Sequence, residues 1–260
     1  MASRRPSTPS TSTPPTSDPS DPAQPARGSS TVDAGASSFD PQATVAHELA
    51  RQRETLVRLG YAELLGVSRA RVRAAVDALA PAVANLSLTP EPGHGAAVDG
   101  DHVPFVVVVD GGIDLHEAAA LMTLGSRPAR LMLTADEIPG FVPVEGVDVP
   151  APSLGATSVY VLVGIDTGSE HRGVTPETAR AVIEGRGRTA LTIAEGVALV
   201  THRPDMLRPN RCFSLLARRR GDQRVPAIWI SEKAPKLGWC WDRNPHTWLG
   251  SASAASRLAL

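Results

Sequence analysis

The stretch VPFVVVVD, residues 103–110, followed at once by Gly111 and Gly112, decides how the rest of the chain is read. A short, unbroken apolar run of mostly β-branched side chains, closed by glycines, is the pattern of a strand covered on both faces. A strand with one wet face would alternate with polar residues. Downstream, RLMLTADEI (130–138) and SVYVLVGID (158–166) read as further strands. Helices are expected after Asp114-x-x-Glu117, after Thr175-Pro176-Glu177 and after the capping box Thr192-x-x-Glu195. The end returns to strand: CFSLLA (212–217) and VPAIWI (225–230) flank RRRGDQR as a long hairpin, and LGWCW (237–241) makes a third strand.

Upstream of the deciding strand the apolar pattern changes from an unbroken run to helical spacing. Asp40 and Pro41 suit a helix start, Val45, Leu49, Gln52, Leu56 and Leu59 recur at helical spacing, and Gly60 supplies the stop. A second helix should follow Ser68, with Val72, Val76 and Leu79 on one face and its end at Pro81. Strands and helices do not alternate regularly, so the fold class is α+β: an N-terminal helical hairpin, then a mixed, partly antiparallel sheet with helices packed on it.

Three regions follow. Residues 1–38 are almost entirely Ser, Thr, Pro, Ala, Gly and Asp, too poor in apolar side chains to offset the entropy of ordering, and read as a disordered tail. Residues 39–90 form the helical region and 103–260 the α+β region with its Trp-rich end, with 39–260 as a single domain the alternative.

At 260 residues the chain is long enough for a substantial core, and two cysteines make no disulfide framework, which fits a reducing compartment. A net charge of −1 exerts no global pull on nucleic acid or anionic membrane. The apolar runs are far short of the ~20 residues of a membrane helix, and no apolar run follows Arg4 and Arg5 as in an export signal. The expected location is cytoplasmic.

Several motifs carry chemistry on paper. RLGYAELLGVSRARVRAAVDAL (58–79) has helix-turn-helix spacing, with Arg69, Arg71 and Arg73 facing DNA. The same residues serve any helical hairpin, and no basic wing follows. Asp166-Thr167-Gly168-Ser169 matches half of an aspartic-protease site but occurs once, and these are ordinary turn residues. Asp110-Gly111-Gly112 ends a buried strand, where ligands often bind, and Arg218-Arg219-Arg220 could hold a phosphate. The seven histidines share no ligand spacing with one another or with the cysteines, so no metal site is expected, and no motif names a cofactor.

The densest stretch is PKLGWCWDRNPHTWLG (235–250), with three of the four tryptophans. In a strand Trp239 and Trp241 share a face while Cys240 points to the other, and His246 and Trp248 fall together beyond the Asn244-Pro245 turn. An aromatic wall with Lys236, Asp242, Arg243, Asn244 and His246 about it is the make-up of a pocket for a small molecule or peptide. An enzyme with Cys240 as nucleophile and His246 as base, beside Lys236 and Asp242, is the rival from another class, and a DNA-binding regulator is the third. The bland reading is that the indoles supply bulk to a core poor in aromatics.

The segments LTIAEG, RRRGDQRVPAIWIS and PKLGWCWDRNPHTWLG, within the run from Gly187 to the end, resemble a family of uncharacterised proteins from GC-rich bacteria, described only as a domain of unknown function. Weaker similarity extends back through DHVPFVVVV and LVRLGYAEL. The abundance of arginine over lysine, 24 to 2, agrees with such a genome. The resemblance implies intracellular bacterial origin and one family-wide fold, and it supplies no reaction.

Overall fold

Residues 38–89, 98–144 and 146–259 are described by the computed structural model. The tail expected over 1–38 lies outside them but for Ser38, as do residues 90–97 between the helical region and the first strand. The deciding strand runs His102–Asp110, and everything from Val103 to Asp110 is buried. Phe105, Val107 and Val109 enter one hydrophobic cluster, while Val106 and Val108 enter the other. Both faces are therefore core, as the unbroken run requires, and each fully buried valine contributes about 1.5–3 kcal/mol.

The first cluster is shared with the N-terminal helices. Val45–Leu59 supplies Leu49, Leu56 and Val57, and Arg69–Asp77 supplies Val72 and Val76. Gly60 ends the first helix with φ 90°, and Ser68 caps the second by accepting from the Arg71 amide at 3.3 Å. The start differs from expectation: Asp40 accepts from Gln42 N–H two residues on (2.9 Å), which commits it to a local turn. Thr44 is then the cap, accepting from His47 N–H at 3.1 Å. Pro41 thus lies ahead of the helix. Pro81 opens a separate short helix, Ala80–Val83, where its missing N–H costs nothing.

Strand His102–Asp110 pairs antiparallel with Ser158–Asp166, in the register Val108↔Tyr160 and Asp110↔Ser158. The same sheet takes in Thr189–Ala190, Ser253–Ala254 and Ser256–Leu258. A second, mixed sheet has the order Leu249–Ser251, Cys212–Ser214, Arg224–Ser231, Ala234–Trp241, Arg130–Leu131. The C-terminal stretch crosses from the second sheet to the first. Of the strand expected over 130–138 only Arg130–Leu131 is strand. Met132 and Leu133 both donate to Leu237 O, and the chain then turns through Ile138–Gly140.

Helix Ile193–His202 is buried along its whole length and contributes to the second cluster together with residues of both sheets. Apolar residues occur on every side of it, as a helix without a wet face requires, and its buried Glu195 and His202 are hydrogen-bonded to Arg257 and to Val107 O. Its capping box forms: Glu195 N–H donates to Thr192 Oγ1 (3.2 Å) and Thr192 N–H to Glu195 Oε2 (2.8 Å). The fold class is α+β.

Candidate functional site

The Trp-rich segment is half of a β-hairpin. Strands Arg224–Ser231 and Ala234–Trp241 are joined by Glu232 and Lys233, both left-handed (φ 50° and 65°), so the connection is a tight two-residue turn made without glycine. The register pairs Arg224 with Trp241, Pro226 with Trp239 and Trp229 with Lys236.

Alternation along these strands puts Trp239, Trp241 and Arg224 on one face and Trp229, Lys236, Gly238 and Cys240 on the other. On the first face Trp239 and Trp241 meet edge to face, centroids 5.0 Å apart, and the Arg224 guanidinium lies 5.2 Å from the Trp239 ring centre. Arg224 also pairs with Asp222 at 2.5 Å and Glu137 at 3.5 Å. Trp241 is 48% exposed.

On the second face the Trp229 ring lies against Gly238, where any β-carbon would strike it, with Met132 Cε beside it. Lys236 Nζ lies 5.8 Å from the Trp229 ring centre, Trp248 packs on Trp229 with centroids at 6.2 Å, and His246 on Trp248 at 5.2 Å. The structure thus divides the expected aromatic wall. Trp239 and Trp241 form one pair, and Trp248 and His246 join Trp229, with Lys236, in a separate group.

Asp242 is 3% exposed and ion-paired with Arg219; burial pushes its carboxyl up, and Arg219 opposes the shift. Its main chain ties the hairpin to the neighbouring helix Pro176–Gly185, since Glu177 N–H donates to Asp242 O at 3.2 Å. Arg243 reaches Glu177 at 3.3 Å, and Asn244 N–H closes a turn on Trp241 O at 3.1 Å. His246 O accepts from Gly173 N–H at 2.8 Å, its buried Nε2 has no hydrogen-bond partner among the described residues, and burial lowers its ring pKa. Cys240 is buried, and desolvation together with Asp242 pushes its thiol up to about 12, so it is protonated at neutral pH.

The edge of the hairpin is informative. Pro226 has no N–H, and its carbonyl accepts from Leu215 at 2.7 Å, so its main chain faces the Cys212–Ser214 side. Its partner Trp239 therefore turns its own N–H and C=O away from the hairpin, as do Leu237 and Trp241. Leu237 O is taken by Met132 N–H (2.8 Å) and Trp241 O by Asn244 N–H. On that side the pairing with Arg130–Leu131 ends at Leu237, and no turn or loop among the described residues bonds the Trp239 amide or carbonyl.

Sequence reasoning missed Arg224, Trp229 and Met132, and it singled out Arg219 only as part of a phosphate-binding run. A hairpin centred on 232–233 would have paired Trp229 with Lys236, but a Glu-Lys turn carries no glycine or asparagine signal.

The remaining motifs find structural partners. Arg69 pairs with Glu63 and Arg73 with Glu54, both at 2.9 Å, while Arg71 is exposed. Asp166 accepts from Gly168 N–H (2.7 Å), and Gly168 packs so closely on the Ser251 carbonyl that no β-carbon fits between them. Asp110 is brought to Arg218, Oδ2 to Nη2 at 3.8 Å, which unites two motifs the sequence left apart. Burial pushes the Asp110 carboxyl up, against the pull of Arg218. Nearby, Glu195 accepts from Tyr160 Oη at 2.8 Å and from two nitrogens of Arg257. Among the described residues no group of three or more His, Cys, Asp or Glu side chains is gathered to hold a metal ion, and no helix is long and apolar enough to cross a membrane.

An α+β chain with an aromatic hairpin edge defines a class of architecture, not a reaction. Residues 55–260 match the model described as "Family of unknown function (DUF5701)", and the chain belongs to that family. No curated protein and no solved structure matches the chain.

Proposed function

We propose that this protein is a binding module without catalysis of its own, and that it takes an extended peptide segment along the Gly238–Trp241 end of strand Ala234–Trp241, beyond the part already paired with Arg130–Leu131. The observation that carries this reading is the outward-facing main chain of Trp239, left without a main-chain partner beside an exposed indole. A strand edge offers a donor and an acceptor at strand spacing, which another extended backbone complements, and neighbouring side chains supply selectivity. Trp241 and Trp239 would hold an apolar side chain of the incoming strand, with Arg224, Glu137 and Arg243 at the rim.

The protonated, buried Cys240 argues against a nucleophile there. The ion pairs of Arg69 and Arg73 argue against a DNA reader, because phosphates would have to displace Glu63 and Glu54. Both cysteines are free, in keeping with an intracellular setting.

Panning a random peptide library against the protein tests the reading. Enriched peptides should perturb tryptophan fluorescence, lose affinity when alternate amides are N-methylated, and bind Trp241→Ala at least about tenfold more weakly, the effect of losing one anchoring aromatic. No enrichment, or peptides indifferent to both changes, would overturn it.

A further inference from the structure

We propose that the turn at residues 208–211, together with Gly100 and Arg172, is an oxyanion site suited to a phosphate group. The turn has Pro209 followed by left-handed Asn210 (φ 58°), the signature of a type II turn, and Arg211 N–H closes it on Arg208 O at 2.9 Å. Its two ends are arginines bridged to each other, and both send their guanidinium groups over the same glycine.

Arg208 Nη2 donates to Gly100 O, and Arg211 Nη1 donates to Asp99 O (2.9 Å) and Asp101 Oδ1 (3.1 Å). A third guanidinium borders the turn: Arg172 donates to Asn210 O (3.2 Å) and Ser169 O (3.0 Å). Neutral carbonyls take most of these donors. Asp101 alone is a bonded carboxylate, and it also accepts from Ser169 N–H at 2.9 Å. The nearby Asp205 is held in a fork by Arg203, at 2.8 and 2.7 Å, and feels Arg208 only as a weaker, additional charge. Three guanidinium groups against one bonded carboxylate, with the exposed Asp99 side chain beside it, leave an excess of positive charge, which a bound anion offsets.

Geometry says where the anion would lie. A β-carbon on Gly100 would be 3.5 and 3.6 Å from two nitrogens of Arg208 and 3.6 Å from Arg211 Nη1. Three cationic nitrogens therefore surround the point above this left-handed glycine (φ 78°), and a side chain there would fill the space. Arg208 Nε is buried and has no hydrogen-bond partner among the described residues. Planar guanidinium groups at this separation match the tetrahedral oxygens of a phosphoryl group. The motif Arg218-Arg219-Arg220, the sequence's own candidate for phosphate, is meanwhile spent on Asp110, Asp242 and Asp222.

Titration of the full chain with inorganic phosphate, followed by calorimetry and by the Gly100 amide resonance, tests the site. Chloride at equal ionic strength is the control, and a nucleoside monophosphate in parallel distinguishes free phosphate from a phosphorylated molecule. The expected result is saturable phosphate binding, weakened by salt and at least about tenfold by Arg208→Ala, the loss of one charge-assisted donor set. Arg172→Ala, at an exposed side chain, should weaken it severalfold without touching the fold, and so decides the matter if Arg208→Ala unfolds. Phosphate binding no better than chloride, or affinity unchanged in Arg172→Ala and in a folded Arg208→Ala, would overturn the proposal.

Discussion

Arg257 grips Glu195 through two nitrogens, Nε to Oε1 at 2.6 Å and Nη2 to Oε2 at 2.8 Å, although 62 residues separate them in the chain. The pair fastens strand Ser256–Leu258 to the start of the buried helix, with Glu195 0% and Arg257 7% exposed. Arg257→Met strands a carboxylate in the interior with only Tyr160 Oη and Thr192 N–H for company. Urea unfolding should show a loss of about 3–5 kcal/mol, partly recovered in Arg257→Met/Glu195→Gln, where no charge is stranded. A single-variant loss under about 1 kcal/mol would contradict this account of the pair.

Acid should destabilise the protein through its buried histidines. Burial lowers His202 from 6.5 to about 3 while its Nε2 stays within 3.0 Å of Val107 O. Between those values the unfolded chain holds a proton the folded one lacks, so this contribution is complete above pH 6.5 and is lost as pH falls toward 3. His102, His171 and His246 are lowered for the same reason and add with the same sign. His202→Gln should flatten the acid limb of stability against pH by up to ~1.4 kcal/mol per unit, one proton's worth. An unchanged slope would show that His202 ionises freely in the native state.

Cys240 should label slowly. With the thiol pushed up to about 12 and the side chain buried, iodoacetamide at neutral pH is expected to react far more slowly than with a model thiol, and to catch up only in denaturant. Fast labelling of the native protein would revive the enzyme reading.

Two left-handed glycines should answer differently to one methyl group. Gly168→Ala drives a β-carbon into the Ser251 carbonyl and should cost about 3 kcal/mol or more. Gly173→Ala, with φ +77° but nothing within 4 Å, should cost only about 1–2 kcal/mol for its conformation. Equal melting temperatures for the two variants would refute the close packing of Gly168 on the Ser251 strand.

The hairpin turn can be improved. Replacing Glu232-Lys233, both at positive φ, by Asn-Gly should stabilise the fold by about 1 kcal/mol, since these residues adopt that turn with less strain. Loss of the Glu232–Arg130 ion pair, exposed on both sides, should subtract little. A drop in melting temperature would argue against this turn type.

What could be read in advance was local. The 103–110 run, the stop at Gly60, the Ser68 cap and the Thr192-Glu195 capping box are each decided within a few residues, by covering of strand faces or by satisfying free helix amides, and each is found as read. The grouping of Trp239 with Trp241 and of His246 with Trp248 follows from the same short-range periodicity.

What tertiary structure decided involves partners far apart in sequence. RLMLTADEI has the apolar content of a strand, yet after Leu131 its amides converge on one carbonyl, Leu237 O, and the ladder stops. No local pattern announces that termination, nor the pairing of Trp229 with Lys236, the meeting of Asp110 with Arg218, or Arg208 and Arg211 converging over a glycine far upstream, 108 residues from Arg208. By itself the sequence determined most of the strand and helix segments and where bulky aromatics accumulate, because propensity and capping act over a few residues. The split of those aromatics between two faces, and the assembly of distant charges into sites, arose only on folding, because register and charge pairing depend on where the chain returns in space.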